Sequence, residues 1–388
     1  MPNMKCRVCG HDLFKEPLLQ YANMPKGAQY LPGPEDLKDD KGVNLDIYQC
    51  TACGLVQLSN PPVSYHREVI RAAAFSPEMR DFRIKQFSDF IERFSLRGKK
   101  VVEIGCGHGE YLNLIRDAGA DAHGLEYGEQ AVAYCRRSGL NVSRGFLGRL
   151  DEKIPQAPFD AFFAMSFLEH LPQPDTLLGA MANNLVDGGV GLVEVPNFDM
   201  NVRENLFSEF IGDHLLYFTR DTLATALTLH GFEVLDCREV WHDYIISARV
   251  RKSRLSAPDP GRAVRLDLSP FQFCQKELKR QIQQYLEYYE DGKVAVWGAG
   301  HQALAVMALS DLGGKIRYVI DAASFKQGRY TPATHIPIVP PETLNTDPVD
   351  AVIIMAGSYC QEVARIIRER FDRRIDACWL NKGRLEVV

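Results

Sequence analysis

Two C-x-x-C knuckles, Cys6 to Cys9 and Cys50 to Cys53, place four thiols near the start of a 388-residue chain. Each knuckle is followed at once by a glycine, Gly10 or Gly54, which permits the tight turn that aims backbone amides at thiolate sulfur. Four thiolates are what a structural tetrahedral zinc takes, leaving no position for water. Cys6, Cys9, Cys50 and Cys53 are therefore the expected ligands of a structural Zn2+. The knuckles lie 40 residues apart, more than the roughly 15–20 of compact zinc modules, so the chain between them must carry structure of its own. A redox dithiol explains one such pair but not two. The remaining cysteines are scattered in apolar surroundings and read as small buried hydrophobes.

Different chemistry is carried by Lys99-Lys-Val-Val-Glu-Ile-Gly105-Cys-Gly107-His-Gly109. This reads as a buried strand entering a glycine-rich turn and then a helix from Glu110 to Ala118. The glycines let the backbone approach a nucleoside, and the helix start offers free amides. Alone, the turn fits either a nicotinamide cofactor or S-adenosylmethionine. Glu103, two residues before the first glycine, favours S-adenosylmethionine, because an acid there orders the loop and the methionine end. Glu126 closes the next strand about 20 residues on and suits the ribose diol of either cofactor. Glu103, Gly105, Gly107, Gly109, Glu126 and Ser166 are the expected cofactor-binding residues. Ser166 ends the strand from Phe159, and His170 follows beside Glu169, where open α/β sheets place ligands.

Several elements must position these groups. Apolar residues from Phe82 to Phe94 recur at helical period and predict a helix over Arg80 to Leu96. Strands are expected at His123 to Tyr127, Phe159 to Ser166 and Gly189 to Pro196, the last after a helix ending at Asp187-Gly-Gly. Gly231 to Cys237 and Asp243 to Val250 are too close for a crossover helix and predict a hairpin. A charged, proline-bearing stretch from Arg251 to Pro270 then reads as a linker, and a helix follows from Phe271 to Tyr289. A second strand–turn–helix begins at Lys293-Val-Ala-Val-Trp-Gly298-Ala-Gly300, and its next strand, from Ile316, ends in Asp321. It carries a nucleotide-binding fingerprint with Ala303 in the third glycine position. Lys326 to Ile338, with two prolines, predicts a fixed loop.

The balance of 46% hydrophobic and 24% charged residues is that of a globular protein with real cores. A net charge of −5 gives no basic field for nucleic acid or an anionic membrane. No apolar run approaches the ~20 residues that span a bilayer. The start shows no signal-peptide core, so a cytoplasmic enzyme or binding protein with a small-molecule partner is expected.

Taken together, the chain resembles the bacterial sugar C-methyltransferases that act on nucleotide-linked keto-deoxysugars. The resemblance lies in the double C-x-x-C, in Val102-Glu-Ile-Gly-Cys-Gly-His-Gly109 and in Asp213-His214-Leu-Leu-Tyr-Phe218. It continues in Gly298-Ala-Gly300, Asp321, Lys326-Gln-Gly-Arg-Tyr-Thr-Pro332 and His335-Ile-Pro-Ile338. It implies an α/β chain with a zinc-binding module over 1–66, a class I S-adenosylmethionine-dependent methyltransferase domain over 67–255 ending in an antiparallel hairpin, and a Rossmann-like domain over 256–388.

The resemblance also implies roles. His214 is the base that removes a proton beside a keto group, and His170 polarises the keto oxygen. Asp213, the third expected catalytic residue, stands where the family carries glutamate, and Ile211 where it carries tyrosine. Together with a tyrosine-poor stretch from Tyr65 to Ser76, these departures imply an altered substrate pocket. Gly298, Gly300, Asp321 and Lys326 are the expected substrate-binding residues. Two other readings stay open. One is an O- or N-methyltransferase of a small metabolite. The other is a nicotinamide-binding oxidoreductase or a non-catalytic protein.

Overall fold

A computed structural model describes residues 4–68, 76–253, 259–371 and 374–388. The stretch from Tyr65 to Ser76 and the linker from Arg251 to Pro270 therefore fall partly outside the described residues. The chain packs as two units, each drawing on three stretches. The first takes Met1–Pro17, Tyr48–Met200 and His214–Arg265, and the second takes Leu18–Ile47, Asn201–Asp213 and Leu266–Val388. Most of the chain between the two cysteine knuckles thus folds in the second unit. There β1 (Leu19–Met24) pairs antiparallel with β2 (Val43–Gln49), Leu19 opposite Ile47.

In the first unit, β3 (Val56–Leu58) follows the second knuckle. Helix α1 (Pro77–Arg93) starts earlier than its apolar period suggests. The Ser76 hydroxyl accepts from the Met79 amide at 3.1 Å, and Pro77 takes the first helical position, where its missing N–H costs nothing. Its buried face, Phe87, Phe90 and Ile91, packs against Val101, Ile115 and Phe163. Arg83 on the same helix is 2% exposed. Its guanidinium pairs with Glu194 and lies 4.9 Å from the Tyr111 ring centroid.

The sheet then builds up through β4 (Lys100–Ile104), α2 (Glu110–Asp117), β5 (Asp121–Glu126), α3 (Glu129–Arg137), β6 (Asn141–Arg144) and β7 (Phe159–Met165). A 3-10 turn at Leu168–His170 leads to α4 (Pro174–Asn183) and β8 (Leu185–Pro196). After α5 (Phe198–Arg203) come β9 (Leu216–Tyr217), α6 (Arg220–Leu229), β10 (Phe232–Val240) and β11 (Ile245–Lys252). Seven strands form one sheet in the order β10-β11-β8-β7-β4-β5-β6. The five from β4 to β8 are parallel, whereas β11 runs antiparallel to β8 and to β10. The expected doubly wound sheet with a terminal hairpin is present. β9 pairs instead with β3, Tyr217 opposite Val56.

One boundary differs from expectation. The helix before β8 does not reach Asp187-Gly-Gly but stops at Asn183. The fully buried Asn184 side chain donates to the carbonyls of Ala180 and Glu152 and accepts from the Ile154 amide at 2.9 Å. Those bonds end the helix, and Leu185 already pairs opposite Phe159.

The second unit adds α7 (Ser269–Leu286), β12 (Val294–Trp297), α8 (His301–Leu309), β13 (Val319–Ile320), β14 (Ile338–Val339) and α9 (Thr343–Thr346). It closes with β15 (Ala351–Ile354), α10 (Cys360–Arg370), β16 (Asp376–Asn381) and β17 (Arg384–Val387). The sheet order is β14-β13-β12-β15-β16-β17, parallel except for the last pair. The strand expected from Ile316 shrinks to Val319–Ile320. The loop from Lys326 is indeed fixed. Tyr330 donates its amide to the Pro32 carbonyl at 2.9 Å, and the buried Thr331 hydroxyl accepts from the Ile336 amide at 2.8 Å. No described helix is long and apolar enough to cross a membrane.

Candidate active site

The glycine turn leaves β4 and enters α2 in the left-handed region, with φ of +66° at Gly105 and +82° at Gly109. Only glycine fits at these two positions. A Cβ on Gly105 would meet the Phe167 ring at 2.7 Å, and one on Gly109 would meet Leu140 at 2.4 Å. Helix α2 opens with no side-chain cap, so its first amides stay available to a ligand. Glu126, at the end of β5, accepts from the Gly107 amide at 2.9 Å and the Gly128 amide at 2.8 Å. Glu103 is fully buried on β4. Ser166 has φ of +51° and ties its amide to the Glu194 carbonyl at 2.9 Å.

A crevice opens beside these residues, lined by Arg67, Gly105, Leu125, Tyr127, Phe146 and Phe167. The Arg67 guanidinium lies 5.1 Å from the Phe146 centroid and 5.6 Å from that of Tyr127. A glycine cradle, an acid at the strand end and aromatic walls fit the nucleoside of S-adenosylmethionine. Replacing Glu126 by alanine removes both turn bonds. At about 1.5–3 kcal/mol per charge-assisted bond, calorimetry is expected to show roughly 10–100-fold weaker cofactor binding. Unchanged affinity would remove Glu126 from the cofactor site.

The two histidines singled out from sequence come together. Their rings stand 4.8 Å apart, centroid to centroid, at 75°. His170 is held by the 3-10 turn after β7. His214 lies two residues before β9, and the intervening amide, of Leu215, donates to the Glu169 carbonyl at 2.8 Å. Tyr217 lies 6.4 Å from His214, ring to ring. The carboxyl grouped with this pair is that of Glu169, whose Oε1 is 3.7 Å from His170 Nε2. Burial pushes the Glu169 acid up to about 8, so it keeps its proton at neutral pH. Asp213, adjacent to His214 in sequence, instead accepts the Ala28 amide at 2.6 Å within the second unit.

The four cysteines converge as their spacing predicts. Cys6 and Cys53 sulfurs are 3.6 Å apart, and Cys9 is 3.5 Å from both Cys50 and Cys53. A tetrahedron with Zn–S near 2.3 Å has edges of about 3.8 Å, so the set fits zinc. Gly10 and Gly54 are left-handed at +71° and +78°, and the Ala52 amide points at Cys50 Sγ from 3.3 Å. Arg7, between the first two cysteines, donates its amide to Gln57 on β3 and its guanidinium to the carbonyls of Asn60 and Pro172.

In the second unit, Gly298 has φ of +120°, and a Cβ there would meet the Met355 carbonyl oxygen at 2.5 Å. Gly300 caps α8. Asp321 accepts from the amides of Ala299 and Ala323 and from Lys326 Nζ at 3.0 Å, and Lys326 also donates to the Ala299 carbonyl. Gly298, Asp321 and Lys326 are thus brought together. The carboxylate that a nicotinamide ribose would need already holds an ammonium.

Sequence reasoning missed Glu169, Arg67 and Phe146 as site residues. Glu169 could have been flagged as the acid in Leu168-Glu-His170 directly after a strand end. Nothing in the spacing of Arg67 and Phe146 announces them.

Two family models match the chain. A methyltransferase domain covers residues 79–236, and a C-methyltransferase C-terminal domain covers residues 267–375. The C-methyltransferase NovU of Streptomyces niveus is 25% identical across 93% of this chain and 91% of its own length. A ubiquinone biosynthesis O-methyltransferase of Pseudomonas aeruginosa is 30% identical but spans only 39% of this chain and 66% of its own length. Among solved structures, an S-adenosylmethionine-dependent methyltransferase from Clostridium acetobutylicum covers 48% of this chain and 96% of its own, at 11% identity and a TM-score of 0.38.

Proposed function

We propose that this chain, which is an S-adenosylmethionine-dependent methyltransferase with support for the C-methyltransferase family, methylates a carbon beside the keto group of a nucleotide-linked deoxysugar. The observation that carries the reading is the His170–His214 pair, held at the carboxyl end of the sheet. S-adenosylmethionine, when bound, supplies an electrophilic methyl on a sulfonium sulfur. The chain's residues supply the proton chemistry.

A neutral His214 ring takes the proton from the carbon next to the carbonyl, and the C–H electron pair becomes an enolate. His170 donates to the keto oxygen and holds the charge that gathers there. A bound S-adenosylmethionine would methylate the enolate carbon, its sulfur leaving as a neutral thioether, and the proton leaves His214 for solvent. Glu103, Gly105, Gly107, Gly109, Glu126 and Ser166 seat the cofactor. In the second unit, Lys326 beside the Gly298 and Gly300 turn is suited to an anionic substrate group, with Asp321 fixing the ammonium, and these four residues are read as substrate-binding in their own right. Cys6, Cys9, Cys50 and Cys53 bind a structural zinc.

The test is hydrogen exchange in D2O with a panel of nucleotide-linked keto-deoxysugars and S-adenosylhomocysteine in the cofactor site. Deuterium is expected at the carbon beside the carbonyl, and with S-adenosylmethionine a carbon-methylated product follows. Methylation of oxygen or nitrogen with no exchange would replace this reading by the small-metabolite alternative.

A further inference from the structure

We propose that the second unit carries a nucleotide-binding crevice of its own, in which Tyr30 and Phe325 stack on the base and Arg329 holds the phosphate. All three residues belong to that unit, so the proposal goes beyond the methyl-transfer reading and is tested apart from it. The crevice has a volume of about 230 Å³ and is built from two stretches of chain. Gln29, Tyr30 and Leu31 come from one, and Phe325 and Arg329 from the other.

The two stretches are pinned to each other. The Tyr330 amide donates to the Pro32 carbonyl at 2.9 Å. Asp40 Oδ2 accepts the Ala333 amide at 2.7 Å and lies 2.9 Å from His335 Nε2. The turn that carries Phe325 and Arg329 is also closed from within. The Lys326 amide donates to the Ala323 carbonyl at 3.0 Å, and the Arg329 amide to the Lys326 carbonyl at 3.2 Å. Both walls are thus set before a ligand arrives, which keeps the ordering cost of binding low.

The lining selects the ligand. Tyr30 is 52% exposed and Phe325 75%. One exposed ring is ordinary, but two lining the same crevice from separate stretches offer the flat apolar faces that a nucleobase covers. Arg329 is exposed, and its guanidinium has no hydrogen bond or ion pair among the described residues. Its planar fork matches phosphate oxygens. The Lys326 ammonium, 5.9 Å from the Phe325 ring centroid, lies near the same ring, paired with Asp321. The acids of the first stretch are engaged, Asp36 by the Gly33 amide at 2.9 Å and Asp40 as above. The volume falls below the ~300–1,000 Å³ that encloses a drug-sized ligand. It holds a base and leaves the sugar and phosphates outside, so a dinucleotide is not the ligand.

The probes are thymidine diphosphate and uridine diphosphate, titrated by calorimetry into the full chain saturated with S-adenosylhomocysteine, which closes the cofactor site to them. Both are expected to bind, and inorganic pyrophosphate at least about tenfold more weakly. Phe325→Ala deletes a stacking face and no charge. It should weaken both nucleotides by roughly 5–150-fold and leave pyrophosphate unchanged. Arg329→Ala should weaken nucleotides and pyrophosphate alike, by about tenfold or more. Both side chains are exposed, so melting and S-adenosylhomocysteine affinity should stay as in wild type.

Nucleotide affinities equal to wild type in Phe325→Ala and Arg329→Ala would overturn the proposal, as would no binding at millimolar nucleotide. Binding lost in Lys326→Ala but intact in the other two variants would move the nucleotide to the Gly298 turn and overturn it as well. Deuterium exchange on a keto-sugar tests the His214 reading and needs none of these variants, so either conclusion can fail while the other stands.

Discussion

His214→Ala is expected to lower methyl transfer by about 10²–10⁴-fold, the usual contribution of a positioned general base. S-adenosylmethionine affinity should not change, because the expected cofactor residues lie on β4, on β5, in the turn between β4 and α2 and just after β7, whereas His214 lies in the segment leading into β9. The same substitution should abolish deuterium exchange at the acceptor carbon. Exchange and transfer must fall together if one ring removes the proton that precedes methyl capture. Full exchange in His214→Ala would assign proton removal elsewhere, with His170 the next ring to test. Loss of transfer with exchange retained would place His214 after the enolate step.

The second large effect is on stability. Cys6→Ser is expected to remove the zinc, bring metal content from about one per chain to near zero, and cost about 4–5 kcal/mol or more. At ~2–4 °C per kcal/mol, the melting temperature should fall by roughly 10–20 °C. Arg7 ties the first knuckle to Gln57, Asn60 and Pro172, so loss of the metal is felt beyond the four cysteines. Chelation of the wild type should reproduce the change. Normal melting of a metal-free Cys6→Ser protein would refute the site. Cofactor affinity in the folded fraction should stay as in wild type.

Much of the site was legible because its parts are local. The run of buried residues in β4, the three glycines and the acid ending β5 each declare themselves within a few positions of sequence. The cysteine knuckles do so through spacing. His170 and His214 lie 44 residues apart, and only the resemblance to a known family brought them together before the fold did. Asp213 too came from the resemblance, and its bond to the Ala28 amide is a long-range contact that no local pattern encodes. Glu169 was passed over because what sets it apart is its burial beside the two histidines, which composition does not report. The end of α4 depended on Asn184, whose long-range bonds to residues 152 and 154 no local pattern encodes.

The interleaving of the two units bears on how the chain is made. The β1–β2 pair belongs with residues 266–388, yet it leaves the ribosome more than two hundred residues before them. At about 5–20 residues per second, that hairpin waits roughly 10–45 s for the bulk of its own unit. During that wait its apolar face, Leu19, Tyr21, Leu45 and Ile47, lacks the core that finally covers it. Cys50 and Cys53 emerge just behind it, so the convergence of the four cysteines closes both ends of the stretch into a loop long before its partner exists. A fragment cut at residue 265 would carry that loop permanently exposed and should aggregate, which makes the two units poor candidates for separate expression.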